Sequence, residues 1–318
     1  DSNVTAKESG GITQHIGAYQ VKHKESLITF LDTPGHAAFS NIRSRGANLT
    51  DIVVLVVAAN DSVKPQTIEA ISHAKTAKVP IILAINKIDL SDVNPDKVRN
   101  DLLSHEVVVE SFKGDVLETE ISALKKINLD KLLDNIILQL DILNLDVEYN
   151  KLAEAIVVES KIETGRGPVA TIIINNGVLS EGDHFTCGQA FGKVKALMNE
   201  NGERIKIATP GMPVEVLGFD SIPFAGDTLY AMPNEDAAKE ISEKVKEQKK
   251  LESMDSVKKS SLEEMMSNIS KGDIKKLPII VKADVQGSLE AIVSSLEKVG
   301  NKEVTINVVH SAIGAINE

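Results

Sequence analysis

Two short runs of almost continuous apolar residues constrain the fold of this chain more than any other feature. They read IVVLVVAA and VPIILAI, which is too short to span a bilayer and typical of strands covered on both faces. Between them, QTIEAISHAKTAK has helical spacing, with Ile68, Ile71 and Ala74 on one face. This alternation of strands and helices, over residues 27 to about 146, predicts an α/β domain with a parallel sheet.

Polar clusters follow the carboxyl ends of three predicted strands. LITFL ends in DTPGH (residues 32–36), VPIILAI ends in NKID (residues 86–89), and the weaker ETEI ends in Ser122-Ala123. In a parallel sheet the carboxyl ends of the strands form the ligand-binding edge. Taken alone, each short motif is also a common turn or helix cap. Together and in this order, D-x-x-G, N-K-x-D and S-A form the arrangement of a GTPase domain.

The first cluster has the residue types that a phosphate and a magnesium ion require. The carboxylate of Asp32 can hold Mg²⁺ through a water molecule, because Mg²⁺ prefers oxygen ligands and keeps much of its hydration shell. Gly35 allows the backbone to approach a γ-phosphate closely, so that its N–H can donate a hydrogen bond.

The other two clusters have the residue types that select guanine. The Asp89 carboxylate can accept hydrogen bonds from N1–H and the exocyclic amine of guanine, a donor pair that adenine lacks. The methylene stem of Lys87 can lie along the base, and Asn86 can brace the loop. Ala123, which follows Ser122, can donate its backbone N–H to guanine O6.

The remainder of the chain follows two other patterns. Residues 152–233 contain short β-rich runs separated by Gly, Asn, Asp and Pro turns, which predicts a small antiparallel barrel. Residues 235–270 are charged and nearly free of Gly and Pro, as in a solvated linker helix. After them, LPIIVKADVQGSLEAIVSSLEKV and EVTINVVHSAI predict a strand, a helix and a strand that begin another α/β domain.

Composition excludes several classes of protein. The net charge of −11 disfavours a broad basic face that would coat nucleic acid by charge alone. Cys187 is the only cysteine, so the chain has neither an internal disulfide nor a cysteine zinc cluster, and a reducing compartment is expected. The 318 residues begin at Asp1 rather than Met, and we expect both ends to be internal to a longer protein.

Five segments carry a resemblance to a known family. GGITQHIGAY, DTPGHAAF, NKID, GRGPVATIIINNGVLSEGD and VKADVQGSLEAI resemble the bacterial translation initiation factor 2 family of translational GTPases over essentially the whole chain. Elongation factors Tu and G share the fold of the first two domains but not GGITQHIG or KADVQGS in this form. The resemblance implies a truncated P-loop GTPase domain (1–148), an antiparallel β-barrel (149–234), a helical linker (235–273) and the truncated start of a third α/β domain (274–318).

The resemblance also implies residue roles and partners. Thr13 would coordinate Mg²⁺ and sense the γ-phosphate in the first switch, and His36, next to Gly35, would position the attacking water. The whole protein would bind GTP or GDP with Mg²⁺, promote initiator tRNA binding and subunit joining, and hydrolyse GTP on the ribosome. Initiator tRNA would bind a C-terminal domain outside this chain. We expect a monomer that binds no membrane, in the cytoplasm, with the mitochondrial or plastid matrix left open.

The sequence departs from the family in two ways. It contains no G-x-x-x-x-G-K-[ST] phosphate loop, and it reads Ser122-Ala123-Leu124 where the family reads S-A-K. These departures leave an alternative of another class, a ribosome-binding adaptor with a vestigial nucleotide site. An elongation-type factor that delivers tRNA is a third possibility, disfavoured by the charged helix and the KADVQGS segment.

The absence of the phosphate loop leads to a first prediction. These 318 residues alone bind a fluorescent GTP analogue weakly or not at all, because that loop cradles the phosphates and its Ser/Thr is a direct Mg²⁺ ligand. The same protein extended upstream through the loop binds the analogue, and GDP and GTP compete for it while ATP does not. An extended protein that also fails to bind would favour the adaptor.

Overall fold

The chain divides into two compact units. The computed structural model describes residues 13, 15–251, 275–299 and 304–316. One unit comprises residues 1–13 and 21–146, and the other comprises residues 14–20 and 147–318.

A three-stranded parallel sheet forms the centre of the first unit. Its order is β3 (Val53–Ala58), β4 (Ile81–Asn86) and β5 (Glu118–Glu120). The four residues of β4 from Ile82 to Ile85 are all 0% exposed, so this strand is covered on both faces. The predicted α/β domain with a parallel sheet is confirmed for this unit.

The strand that leads to DTPGH belongs to a separate sheet. Within the described residues, β1 (Gly17–His23) and β2 (Ser26–Asp32) pair with each other and with no strand of the parallel sheet, so the prediction that LITFL belongs to that sheet is wrong. On β3, Val56 is 57% exposed, and the edge of β3 away from β4 pairs with no strand in the described ranges. Ile28 of β2 belongs to an apolar cluster that also contains Ile82 of β4.

Four helices accompany these strands. They are α1 (Ser40–Leu49), α2 (Pro65–Ala77), α3 (Pro95–Leu103) and α4 (Leu129–Leu143). The predicted apolar face of α2 is correct for Ile71 and Ala74 but wrong for Ile68, which is 40% exposed. The apolar stripe of α4 packs into the cluster around Ile28 with Leu132, Leu133, Ile136, Ile137 and Leu140.

A closed antiparallel barrel forms the core of the second unit, as the turn-rich pattern predicts. Its strand order is β10, β13, β7, β6, β14 and β9, and β9 closes the barrel by pairing with β10. The strands are β6 (Glu154–Glu163), β7 (Gly167–Asn176), β9 (His184–Cys187), β10 (Ala190–Met198), β13 (Pro213–Phe219) and β14 (Thr228–Met232). Three short strands accompany them: β8 (Leu179–Ser180), β11 (Arg204–Ile205) and β12 (Ile207–Ala208).

Helix α5 spans 235–251 in the described part of the chain. The rest of the charged run lies outside the described residues. The expectation of a fully solvated helix is wrong for one face, where Ala238 and Ser242 are 0% exposed. The ammonium groups of Lys246 and Lys249 lie over aromatic rings of Phe191 and Phe224 at 5.7 and 5.1 Å from the ring centroids. None of the described helices is long and apolar enough to cross a membrane.

The last segment has the predicted strand, helix and strand. β15 (Lys275–Ala283) and β16 (Val304–Ile313) are parallel, with α6 (Gln286–Lys298) between them. The carboxylate of Glu159 on β6 joins this segment to the barrel, because its Oε1 accepts a hydrogen bond from the backbone N–H of Gly287 on α6 at 3.3 Å. Its Oε2 accepts from the backbone N–H of Ile16 at 3.1 Å.

Two barrel strands approach too closely for any side chain at one point, which gives a second prediction. A Cβ atom at Gly192 would lie 2.2 Å from the carbonyl oxygen of Gly218. Gly192→Ala therefore lowers the free energy of unfolding by about 2–3 kcal/mol, since backbone atoms must shift. The measurement is urea unfolding followed by circular dichroism. The matched control is Gly35→Ala, whose Cβ meets no atom within 4 Å, and equal unfolding midpoints for the two variants would contradict the prediction.

Candidate functional site

The loops after β4 and β5 are joined by one side chain. The amide oxygen Oδ1 of Asn86 accepts hydrogen bonds from the backbone N–H groups of Lys87 (2.7 Å) and Ala123 (3.0 Å). Because Asn86 ends β4 and Ala123 follows β5, this contact holds the two strand ends together at one edge of the sheet. The N–H of Ala123, which we expect to face guanine O6, is directed at Asn86 in this structure.

A second contact links the same loops. The hydroxyl of Ser122, which is fully buried, donates to Oδ1 of Asp89 at 2.6 Å, and the backbone N–H of Lys125 donates to that hydroxyl oxygen at 3.1 Å. The Ser122 hydrogen bond is the largest cause that holds the pKa of Asp89 below its ordinary value, and the charge of Lys125 adds to it. The Asp89 carboxylate is therefore ionised at neutral pH.

Left-handed backbone conformations shape both loops. Lys87 has φ of 67°, which turns the chain sharply after Asn86. In the second loop, Lys126 and Asn128 also have left-handed φ values of 54° and 57°. Ser122 and Ile127 exchange backbone hydrogen bonds of 3.2 and 3.0 Å across this turn. Residues other than glycine thus form this turn.

The DTPGH turn lies at the end of β2. Asp32 is the last residue of β2, and the exposed His36 is the N-cap of a 3₁₀ turn (Ala37–Phe39) with extended backbone angles of −73° and 145°. Gly35 has no left-handed φ, and a Cβ atom there would meet no atom within 4 Å. Neither backbone strain nor packing inside the described chain therefore requires a glycine at this position.

The sequence gives no sign of one residue that contacts this turn. Arg43 on α1 is only 8% exposed, and its Nη1 donates to the carbonyl oxygens of Pro34 (2.8 Å) and His36 (2.6 Å). An arginine in a polar helix is usually solvated. The role of Arg43 can therefore be recognised only once the packing of α1 against the turn is known.

Both predicted metal ligands, Thr13 and Asp32, lie within the described residues. Thr13 is half-buried, but both of its neighbours in sequence lie outside the described residues. The described ranges contain no cluster of three or more His, Cys, Asp or Glu residues suited to a metal ion. A hydroxyl and a carboxylate would fit Mg²⁺, which prefers oxygen ligands and commonly binds one or two protein oxygens together with water and phosphate oxygens.

Three protein families match successive parts of the chain. The elongation factor Tu GTP-binding domain matches residues 2–141, and elongation factor G domain 2 matches residues 152–232. The translation-initiation factor 2 family matches residues 251–318.

Curated relatives match the chain from end to end. The chain is 52% identical to translation initiation factor IF-2 of Rhodospirillum rubrum and 51% identical to that of Desulforamulus reducens, and both matches cover 100% of the chain. The chain spans 37% and 32% of the lengths of these two relatives.

Solved structures share the fold at lower identity. GDP-bound aIF5B from Aeropyrum pernix superposes with a TM-score of 0.60 at 24% identity, covering 98% of this chain and 60% of that one. Elongation factor SelB from Methanococcus maripaludis in complex with the GTP analogue GppNHp superposes with a TM-score of 0.55 at 23% identity, covering 70% of this chain and 50% of that one.

The contact between Ser122 and Asp89 gives a third prediction. Ser122→Ala raises the pKa of Asp89, because the variant loses the hydrogen bond that favours the charged form. Since the folded-state pKa is lowered, the stabilisation from this group is present above the unfolded-state pKa of about 3.9 and is lost as the pH falls through the folded-state value. The measurement is an NMR titration of the Asp89 carboxyl carbon.

The exposed Ser104 at the end of α3 provides the control. Ser104→Ala leaves the titration of Asp89 unchanged. Equal Asp89 titration curves for Ser122→Ala and the unsubstituted protein would show that the hydroxyl does not hold the carboxylate.

Proposed function

Because the chain belongs to the bacterial translation initiation factor 2 family, we propose that the whole protein is a GTPase of translation initiation, and that this chain carries its guanine-binding loops. The observation that carries the proposal is the linked pair of loops after β4 and β5, in which Asn86 binds the Ala123 N–H and Ser122 binds Asp89. These loops come from buried parallel strands, the usual position of ligand sites in α/β sheets.

The chemistry of Asp89 supports selection of guanine. A carboxylate oxygen can accept two hydrogen bonds, so Oδ1 can keep its bond to Ser122 and still accept from the base. Guanine would present N1–H and its exocyclic amine to the two oxygens, whereas adenine would leave the carboxylate unpaired. Ala123 is exposed, and guanine O6 would compete with Asn86 for its N–H. The exposed Lys87 would cover the base with its methylene stem.

The DTPGH turn has the features needed at the phosphate end. Asp32 and the hydroxyl of Thr13 would hold Mg²⁺, which when bound neutralises charge on the phosphates. Neither φ nor packing requires a glycine at position 35. A glycine there is explained if a γ-phosphate oxygen approaches its N–H so closely that a side chain would obstruct it. His36 would orient the attacking water, whose oxygen bonds to the γ-phosphorus as the bond to the bridging oxygen breaks, giving GDP and inorganic phosphate.

The finer assignments follow from the family. We propose that the whole protein acts in the cytoplasm with both ribosomal subunits, and that initiator tRNA binds a part of the protein outside this chain. The relatives carry the name translation initiation factor, and the two structural neighbours are GDP-bound aIF5B and SelB in complex with a GTP analogue. No observation favours the alternative of an adaptor with a vestigial nucleotide site.

A change of base specificity tests the proposal. In the full-length protein, Asp89→Asn weakens GDP binding by about 100-fold or more, because an amide cannot accept both guanine donors. The same variant gains affinity for xanthosine diphosphate, whose C2 carbonyl accepts from the new amide. Both affinities are measured by competition with a fluorescent nucleotide.

The same loop offers a matched control. Asp92 is exposed and has a left-handed φ of 63°, a conformation that Asn also tolerates. Asp92→Asn therefore leaves both affinities unchanged. If Asp89→Asn binds GDP as tightly as Asp92→Asn does, the base is not recognised at Asp89.

A further inference from the structure

Arg43 holds the backbone on both sides of Gly35. A single nitrogen, Nη1, donates to the carbonyl oxygens of Pro34 and His36, at 2.8 and 2.6 Å. Between those two residues lies Gly35, whose N–H we propose to donate to a γ-phosphate oxygen. Two hydrogen bonds from a planar guanidinium therefore restrict rotation of the peptide groups next to Gly35 and His36.

The other end of the guanidinium is fixed to α2. Nη2 donates to Oε1 of Glu69 at 2.7 Å. The same oxygen lies 3.1 Å from Nε2 of His73, which in turn lies 3.3 Å from the hydroxyl of Ser40. Although burial raises the pKa of Glu69, its hydrogen bonds with Ser40, Arg43 and His73 outweigh burial and hold that pKa below the ordinary value. Glu69 is thus a charged, fixed anchor for Arg43.

Stability alone does not explain an arginine at this position. The Nε of Arg43 is buried and has no hydrogen-bond partner in the described ranges. A buried donor without a partner costs free energy, and well-packed apolar residues are often as stabilising as a buried ion pair. An arrangement that is costly for the fold and directed at a proposed reaction site indicates a role in that site.

We propose that Arg43 is a positioning residue for GTP hydrolysis, which fixes the Gly35 N–H and the His36 side chain in the orientation that the reaction needs. The inference rests on the proposed function. Lysine would not replace it fully, because a single ammonium group cannot bond two carbonyls and Glu69 with the fixed geometry of a guanidinium. In this role Arg43 would act through the backbone of the turn, not by contact with the nucleotide.

Three measurements on the full-length protein test the proposal. Arg43→Met lowers the single-turnover rate of GTP hydrolysis on ribosomes by roughly 10- to 100-fold, since small misplacement of reacting groups has effects of that order. The Kd for GDP stays within about threefold, because base recognition occurs in the other loops. Arg43→Lys recovers part of the rate. Amide hydrogen exchange in residues 33–37 becomes at least about tenfold faster in Arg43→Met while exchange in β4 is unchanged.

A second buried arginine provides the control for general destabilisation. The side chain of Arg99 is 11% exposed and pairs with Asp96, Glu118 and Glu120 in the same unit. Arg99→Met lowers stability but leaves exchange in residues 33–37 unchanged. The proposal fails if Arg43→Met hydrolyses GTP within about twofold of the unsubstituted rate, or if its GDP affinity falls by as large a factor as its rate.

Failure of the proposed function would be recognised separately. If the unsubstituted protein does not hydrolyse GTP on ribosomes, the GTPase assignment fails. The proposed role of Arg43 in hydrolysis then fails as well. Hydrogen exchange in residues 33–37 then shows whether Arg43 fixes the turn at all. If Arg43→Met does not fold, Arg43→Lys and Arg43→Gln are compared, and equal rates for those two and the unsubstituted protein overturn the proposal.

Discussion

Burial of β4 on both faces is the constraint on which the linked loops after β4 and β5, the proposed guanine-binding loops, depend. Because apolar side chains cover both faces of this strand, it cannot shift in register without exposing them to water. Parallel pairing with β5 then places Asn86 opposite the end of the neighbouring strand. A short amide side chain can reach Ala123 only because the sheet already fixes the distance between the two strand ends. The rigid scaffold thus allows loops with unusual backbone angles to present polar groups.

The sequence was sufficient to predict what depends on periodicity and on strand ends. The strands β3 and β4, the apolar stripe of α4 and the antiparallel barrel all have strong local patterns, and the structure contains them. The prediction that both strands are covered on both faces is wrong for β3, on which Val56 is 57% exposed. The polar residues after β4 and β5 could be predicted to lie together, because parallel strands have their carboxyl ends at one edge. Their roles toward a nucleotide remain predictions.

Features that depend on three-dimensional neighbours could not be predicted. Helices α1 and α3 are short and contain few apolar residues, and α1 buries an arginine beside Ile42 and Ala47. The contact of Arg43 with the turn before it, and the capture of the Ala123 N–H by Asn86, arise from the fold rather than from local sequence. The exposure of Ile68 has a similar cause, since a predicted helix face is buried only where another element covers it.

A structure of the full-length protein with GDP bound would test the assignment of the guanine-binding loops most directly. The distances to measure are those from the Asp89 carboxylate oxygens to guanine N1 and N2, and from the Ala123 nitrogen to O6. We predict that all three lie within about 3.2 Å, with the Ala123 N–H shared with or released from Asn86. A base bound elsewhere, with Asp89 bonded only to Ser122 and Ala123 only to Asn86, would contradict the assignment.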